Sequence, residues 1–475
     1  MNQLTVVIAS DTFAPDRNGT ATFARNLAVG LHNRGYEVHV IAPATSKLYG
    51  TFREKHEGAP LIVHRLKSYR LPFQPTQRFV LPIGLTKRIS GLLQAINPDV
   101  VHIQSHINVG HHAAIAASSL NKRLIATSHI DAQSLINNTV HAPKFITQFF
   151  TRVLLRDAAR VYKIADAISA PTKRASQMLE NSVKGLQVFP ISGGVDLDRF
   201  IGIPKANKAK KKLIYIGRLD REKHVYVLLE AMAKIPSELG ISLEIVGMGS
   251  QIEDLKRLAL ELGISKSVAF TGDLSDPEVV VKLGECSAFV MPSVQELQSM
   301  ATLEAMAAGR PIIAANAMAL PHLVHDFENG FLFEPDSPSD LAEKITKLFA
   351  LSDSDFTRFS KASSLLARSH DLDTTVAVYE RLYRGLPVTS TTLDNDPDYE
   401  APISPTRLLV DLVRKGSKTL ERGTNGVMER LDGVRGSVSE SFSDVRFSIE
   451  RRSKRARKKL SSSMRRILER IRRDD

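Results

Sequence analysis

The chain has 475 residues, 43% of them hydrophobic, a single cysteine and a formal net charge of +13 at pH 7. That leaves room for two or three domains with real cores and excludes a disordered chain. The lone Cys286 excludes a disulfide framework and a cysteine-built zinc site, and its apolar surroundings predict a small buried residue.

Met1–Ser10 reads as a strand and lacks the basic and apolar regions of a signal peptide. Val6–Ser10, Glu37–Ala42, Leu61–Leu66, Val100–Gln104 and Leu124–Ser128 are short β-branched runs that predict buried parallel strands. Between the first two lies an amphipathic helix, Thr20–Arg34, stopped by Gly35. Such βαβ alternation predicts a parallel sheet covered by helices.

A polar break, Pro204–Lys212, precedes a second alternating set. Its predicted strands are Leu213–Ile216, Ser242–Val246, Val268–Thr271, Ala288–Pro292 and Pro311–Ala314, with helices at Leu255–Leu262 and Leu303–Ala308. The fold class is therefore α/β: two Rossmann-like, doubly wound domains facing a cleft, with chemistry at the C-terminal ends of their strands. The expected division is an N-terminal domain over 1–200 and a second domain over 201–370. A closing helix over 371–386, a linker over 387–405 and a basic tail over 406–475 follow.

Four segments carry chemistry. In Asp11–Ala21, a loop after the first strand, Gly19 lets backbone approach a ligand. Ala126–Asp131 sets His129 at a strand tip, where a structural hydrogen bond is the plainer role. In Ile216–Lys223, Arg218 and Lys223 follow a strand: the first can bind phosphate bidentately, the second adds a point charge, and a solvated charged turn is the alternative. In Pro292–Pro311, Glu296 and Glu304 span a loop and a helix and can address different parts of one ligand; ordinary surface acids are the alternative. That helix opens near Ser299, and its amino terminus offers free N–H groups to phosphate.

Together with the runs Gly193–Phe200 and Val246–Ser250, these segments resemble the family 4 retaining glycosyltransferases (glycosyl transferases group 1, GT-B fold), in particular actinobacterial mannosyltransferases. The resemblance spans about residues 1–385. It implies that Arg218 and Lys223 hold the donor diphosphate, that Glu304 binds the ribose and that Glu296 contacts the transferred sugar. It further implies phosphate or sugar contacts from the Ser299–Met300 amides, a sugar-hydroxyl contact from His129, and packing of Gly19 against the diphosphate. His129, Arg218, Lys223 and Glu296 are thus the expected catalytic residues. Gly19, Arg218, Lys223, Ser299, Met300 and Glu304 are the expected donor-binding residues, with no cofactor and no metal. Asp196–Asp198 offers an Asp-x-Asp triplet, but the two cations already supply positive charge. The chain departs from the family where Ser299 and His224 replace glycines, and where Arg17-Asn18 replaces a glycine pair; this bears on sugar identity and loop conformation. No residue is placed as a nucleophile, so same-face attack on an oxocarbenium-like centre is implied.

Residues 401–475 hold twenty basic and ten acidic side chains, a net +10, which leaves +3 for the first 400. Phe442, Val445, Ile449, Ala456, Leu460, Met464, Ile467 and Ile471 form an apolar stripe among arginines and lysines, a pattern suited to an anionic lipid surface over 442–473. Self-association is an alternative; nucleic acid is the weaker one, because aromatics for stacking are scarce. No run of roughly 18 apolar residues predicts a membrane span. The expected enzyme moves a hexose, mannose or glucose, from a GDP- or UDP-sugar to a lipid-linked or membrane acceptor. It is expected in the cytoplasm, peripheral on the inner face of the cell membrane. A cytosolic enzyme with a soluble acceptor and a silent glycosyltransferase-like scaffold are the rivals.

Overall fold

The computed structural model describes residues 4–71, 74–129 and 144–388. The basic tail, with its stripe over 442–473, and nearly all of the 387–405 linker lie outside the described residues. Among the described residues no helix is long and apolar enough to cross a membrane.

Two large sheets account for the architecture. The first uses β1 (Thr5–Ala9), β2 (Glu37–Pro43), β3 (Gly50–His56), β4 (Ala59–Leu66), and, after a small hairpin of β5 (Ser68–Leu71) and β6 (Gln74–Val80), β7 (Val100–Ile103), β8 (Arg123–Thr127), β9 (Ala167–Ala170) and β10 (Val188–Pro190). Its order is β10-β9-β8-β7-β1-β2-β4-β3, parallel except for the β3–β4 pair. The second uses β11 (Lys212–Ile216), β12 (Ser242–Val246), β13 (Val268–Gly272), β14 (Ala288–Met291), β15 (Ile312–Ala315) and β16 (Gly330–Phe333). Its order, β13-β12-β11-β14-β15-β16, is the doubly wound 3-2-1-4-5-6 arrangement. Central strands such as Val6-Val7-Ile8 are buried on both faces, as helices on both sides of a parallel sheet require.

All ten predicted strands lie within two residues of the observed bounds, but others went unread. β3 is a polar antiparallel edge, GTFREKH, whose residues alternate between exposed and half-buried. β9, β10 and β16 are only three or four residues long and carry weak β signals. The closing helix, expected over 371–386, runs from Leu372 to Tyr383.

That closing helix belongs to the first sheet. Val376, Tyr379, Leu382 and Tyr383 are buried in one core with Phe23, Leu27 and Leu31 of the helix Gly19–Asn33. Contact is close enough that a Cβ on Gly30 would stand 2.6 Å from Val376 Cγ2. Under it runs a polar seam. His102 bonds Tyr383 and Thr127, each at 2.7 Å, and Tyr379 bonds Ser169 at 3.0 Å and Thr127 at 3.2 Å.

The chain passes between the sheets twice, and the two passes are bonded side by side. Val195 N–H donates to His370 O at 2.8 Å, and Leu372 N–H to Val195 O at 3.1 Å. Gly194 stands at φ +72°, and a Cβ there would lie 2.8 Å from Leu372 Cα. Gly194→Ala therefore meets both a left-handed backbone and a backbone clash. We expect a loss on the order of 2–4 kcal/mol in denaturant unfolding. Gly35→Ala, at φ +86° in open space, serves as the control for strain alone and should cost about 1–2 kcal/mol. Equal losses would show that the close pass at Leu372 contributes nothing.

Candidate active site

Each sheet changes strand order at one point, between β1 and β7 in the first and between β11 and β14 in the second. Loops leaving the C-terminal ends of those strands splay apart there, which makes ligand crevices in open α/β sheets. Here the two crevices face each other and line one cleft of about 2050 Å³. Gly19, His129, Arg218, Lys223, Glu296, Ser299, Met300 and Glu304 all line it, so every sequence-derived site residue is brought to a single cavity.

On the wall built by the second sheet, Gly217 to Lys223 follow β11. Gly247 after β12 presses on this loop: at φ +134°, a Cβ would lie 1.9 Å from Gly217 O. Tyr215 O–H donates to Arg218 O at 2.8 Å and fixes the loop from beneath. Arg218 is bridged by Asp220 at 2.5 Å and by Glu222 at 2.6 Å, with 38% of its side chain exposed. Lys223 Nζ lies 2.6 Å from Glu296 Oε1, and both side chains are mostly buried. The two cations are thus balanced within the site by three carboxylates. His224, where relatives of the pattern carry glycine, takes the left-handed backbone at φ +50° and is held by Asp336 at 2.5 Å.

Ser299 caps the helix Met300–Ala307. Its Oγ accepts the Thr302 amide at 3.3 Å and the Thr302 hydroxyl at 2.8 Å. The hydroxyl is therefore engaged as a cap, and what the segment offers a ligand is the amide edge of the first turn. One turn further, Glu304 Oε1 accepts from Arg199 at 3.2 Å, and burial pushes its carboxyl upward while Arg199 pulls it back. Arg199 was not singled out in the sequence. It lies in the Gly193–Phe200 run, beside the Asp-x-Asp triplet, whose Asp196 instead accepts the Asp198 amide at 3.1 Å and caps a short turn. Among the described residues no cluster of three metal-ligating side chains occurs.

On the opposite wall, Asn18 caps the helix Gly19–Asn33 through the Ala21 amide at 2.9 Å. A Cβ on Gly19 would meet no protein atom within 4 Å, and its backbone is not left-handed. The fold itself therefore does not require a glycine at this position. His129 Nε2 lies 3.1 Å from Gln104 Oε1, and the ring packs on Phe23 at 4.8 Å between centroids. Burial pushes the imidazole down to about 3, so it is neutral at physiological pH. With Nε2–H donating to the carboxamide oxygen, Nδ1 is left as an acceptor.

Asp11, at the end of β1, is a further titratable group in the cleft that the sequence did not reveal. It accepts from Ser105 Oγ and from the Val109 amide at 2.8 Å, yet burial raises its carboxyl to about 6. A carboxyl whose folded value is raised binds its proton more tightly folded than unfolded, so its cost is relieved as pH falls through 6. Relative to Asp11→Asn, the parent should gain on the order of 2–3 kcal/mol of stability between pH 7 and pH 4. Parallel unfolding curves for the two proteins across that window would show Asp11 to titrate normally.

Comparison with known proteins assigns both walls. Residues 17–199 match the family described as Glycosyltransferase Family 4, and residues 198–363 match Glycosyl transferases group 1. A GDP-mannose-dependent alpha-mannosyltransferase of Mycolicibacterium smegmatis is 27% identical over 355 residues, 73% of this chain and 88% of that protein. An alpha-monoglucosyldiacylglycerol synthase of Streptococcus pneumoniae is 24% identical over 345 residues, 68% of this chain and 74% of that one. In structure, Anabaena HepE in complex with UDP and glucose superposes with a TM-score of 0.63 at 17% identity, covering 81% of this chain and 100% of that one. Sequence and fold agree over the same two-sheet body, and the chain belongs to the GT-B glycosyltransferases of family 4 and group 1.

Proposed function

We propose that the enzyme transfers a hexose, mannose or glucose, from a GDP- or UDP-sugar to a lipid-linked or membrane acceptor, with retention at the anomeric carbon. The observation that carries the donor side is the convergence of Arg218, Lys223, Glu296 and the Met300 helix terminus on one edge of the cleft. In this reading Arg218 and Lys223 engage the diphosphate, joined by the Ser299–Met300 amides. Glu304, held by Arg199, takes the ribose hydroxyls, and Glu296 takes the transferred sugar. His129 meets a sugar hydroxyl from the facing wall through its neutral ring, and Gly19 leaves space for the diphosphate. A mannosyltransferase and a glucolipid synthase among the relatives support the sugar and acceptor classes.

Chemically, the bond between the anomeric carbon and the phosphate oxygen breaks while the acceptor oxygen bonds to the same face of that carbon. The acceptor proton passes to the departing diphosphate. Catalysis then rests on orientation and on cations beside the leaving phosphate. The pairs seen without donor have a physical sense here. Lys223 and Glu296 neutralise each other in a partly dry site until the donor offers each a new partner: phosphate for the ammonium, sugar hydroxyls for the carboxylate.

Arg218→Ala should lower turnover by about 10²–10³-fold, from loss of a charge-assisted phosphate contact, without altering stability. Lys223→Ala should lower turnover similarly and also weaken the fold by on the order of 1–3 kcal/mol, because Glu296 loses its partner. Glu304→Gln should raise the donor KM, whereas Glu296→Gln should chiefly lower kcat, since only a contact to the reacting sugar strengthens in the transition state. Steady-state kinetics with GDP-mannose and UDP-glucose measures all four. Turnover of Arg218→Ala and Lys223→Ala within about threefold of the parent would refute the donor assignment.

The cationic residues 442–473 support a peripheral position on the cytoplasmic membrane face. Each cation near an anionic surface contributes about 1 kcal/mol, screened over roughly 8 Å at physiological salt. Deleting 401–475 should release the protein from phosphatidylglycerol vesicles at low salt while transfer to a soluble acceptor analogue persists. Co-sedimentation of both forms at low and high salt is the measurement. Equal binding by both would assign the membrane contact to the catalytic body.

A further inference from the structure

The two walls of the cleft differ in how their cations are balanced. On the second-sheet wall Arg218 and Lys223 are matched by Asp220, Glu222 and Glu296. On the first-sheet wall, Arg156 and Arg160 of the helix Lys144–Lys163 line the cleft, are exposed, and make no hydrogen bond or ion pair among the described residues. Arg78 reaches the same wall from the β5–β6 hairpin. Its Nε donates to Ser68 Oγ at 2.8 Å and its Nη2 to Ser68 O at 3.2 Å, and its Nη1 makes no hydrogen bond among the described residues.

The acids of this wall do not balance those groups. Asp157, between the two helix arginines, is bonded to His111 Nδ1 at 3.0 Å. Asp11 is satisfied by Ser105 and Val109. Asp16 is under the charges of Arg65 and Arg78. Arg17 points across the cleft to Asp273 at 2.8 Å. Two guanidinium groups therefore remain, one helical turn apart, about 6 Å along the axis.

We infer that the acceptor carries a phosphate group, monoester or diester, which Arg156 and Arg160 receive while Arg78 flanks it. Guanidinium forks from two successive turns present several N–H donors to one side, matching an oxyanion with several acceptor oxygens. The donor diphosphate already has its cations on the facing wall, so the surplus belongs to the other substrate. This deepens the transferase reading above and rests on it for the direction from which the acceptor enters.

The test uses the full chain and the double variant Arg156→Ala/Arg160→Ala, with Arg218→Ala alongside. GDP and UDP are titrated calorimetrically into all three, and inorganic phosphate and glycerol 1-phosphate are titrated into nucleotide-saturated parent and double variant. Flotation with phosphatidylglycerol and with phosphatidylcholine vesicles forms a third arm. The expected result is nucleotide affinity unchanged in the double variant and lost in Arg218→Ala, with phosphate-ester binding at least about tenfold weaker in the double variant only. Arginine-dependent binding of the soluble phosphates points to a soluble phosphorylated acceptor. Arginine-dependent binding confined to phosphatidylglycerol vesicles points to a lipid headgroup. Failure of nucleotide to bind any form would remove the donor reading and leave the phosphate arms to be judged alone. The inference is overturned if parent and double variant bind phosphate and vesicles equally, if neither binds them, or if the double variant loses nucleotide as strongly as phosphate.

Discussion

Everything in the cleft depends on the double pass of the chain between the two sheets. At Ser192–Asp196 the backbone leaves the first sheet, and at His370–Leu372 it returns. The two strands of chain are joined by Val195–His370 and Leu372–Val195 hydrogen bonds, by His370 Nδ1 on Ser192 Oγ at 2.9 Å, and by Thr375 Oγ1 on Ser192 O at 3.2 Å. Two short, mutually bonded segments restrict the ways the sheets can turn against each other, while leaving few large side chains to repack. Burial pushes His370 down to about 3, so this junction stays neutral and keeps its hydrogen-bond pattern across physiological pH. The return pass also delivers the closing helix, whose Tyr379 and Tyr383 complete the polar seam beneath β7 and β8. The strand end that presents His129 is therefore braced by residues some 250 positions later in sequence.

Electrostatics divides the cleft into two kinds of surface. Where cations and carboxylates are paired within a partly dry wall, as at Lys223–Glu296, desolvation is offset by near contact. On the facing wall, Arg156 and Arg160 make no ion pair among the described residues. His129 belongs to neither class: a buried neutral imidazole adds hydrogen-bond geometry without charge, and its orientation is set by Gln104 and by the face of Phe23.

How much of this could be read from the chain depends on whether the signal is local. Doubly buried parallel strands are continuous apolar runs, so β1, β2, β11 and β12 are visible directly. β16 is not, because it is four residues long and opens on Gly330, which packs with no room for a Cβ against Ile312 O. Arg218, Lys223 and Glu296 follow strands within short loops, Glu304 sits in the helix that comes next, and their type and spacing survive in sequence. Arg199 and Asp11 do not announce themselves, since one matters through its contact with a residue 105 positions away and the other through burial. The first helix arginine of the unbalanced pair looks like any solvated charge until the fold turns it into the cleft.

Closure of the cleft is held by contacts of very unequal strength. Arg17–Asp273 joins the walls between side chains that are 47% and 57% exposed, a pair worth at most about 1 kcal/mol. Arg25 is better enclosed, bonding Asp276 at 2.5 Å and Glu57 at 3.1 Å, and Asp276 in turn stands among the charges that act on Glu304. Gln298 reaches Gly193 N at 2.6 Å and Ser192 Oγ at 2.9 Å, and the Leu297 carbonyl accepts Thr172 Oγ1 at 2.9 Å. These last contacts join the loop between Glu296 and Ser299 directly to the double pass. The loop that carries Glu296 is therefore positioned by the same segments that join the two sheets.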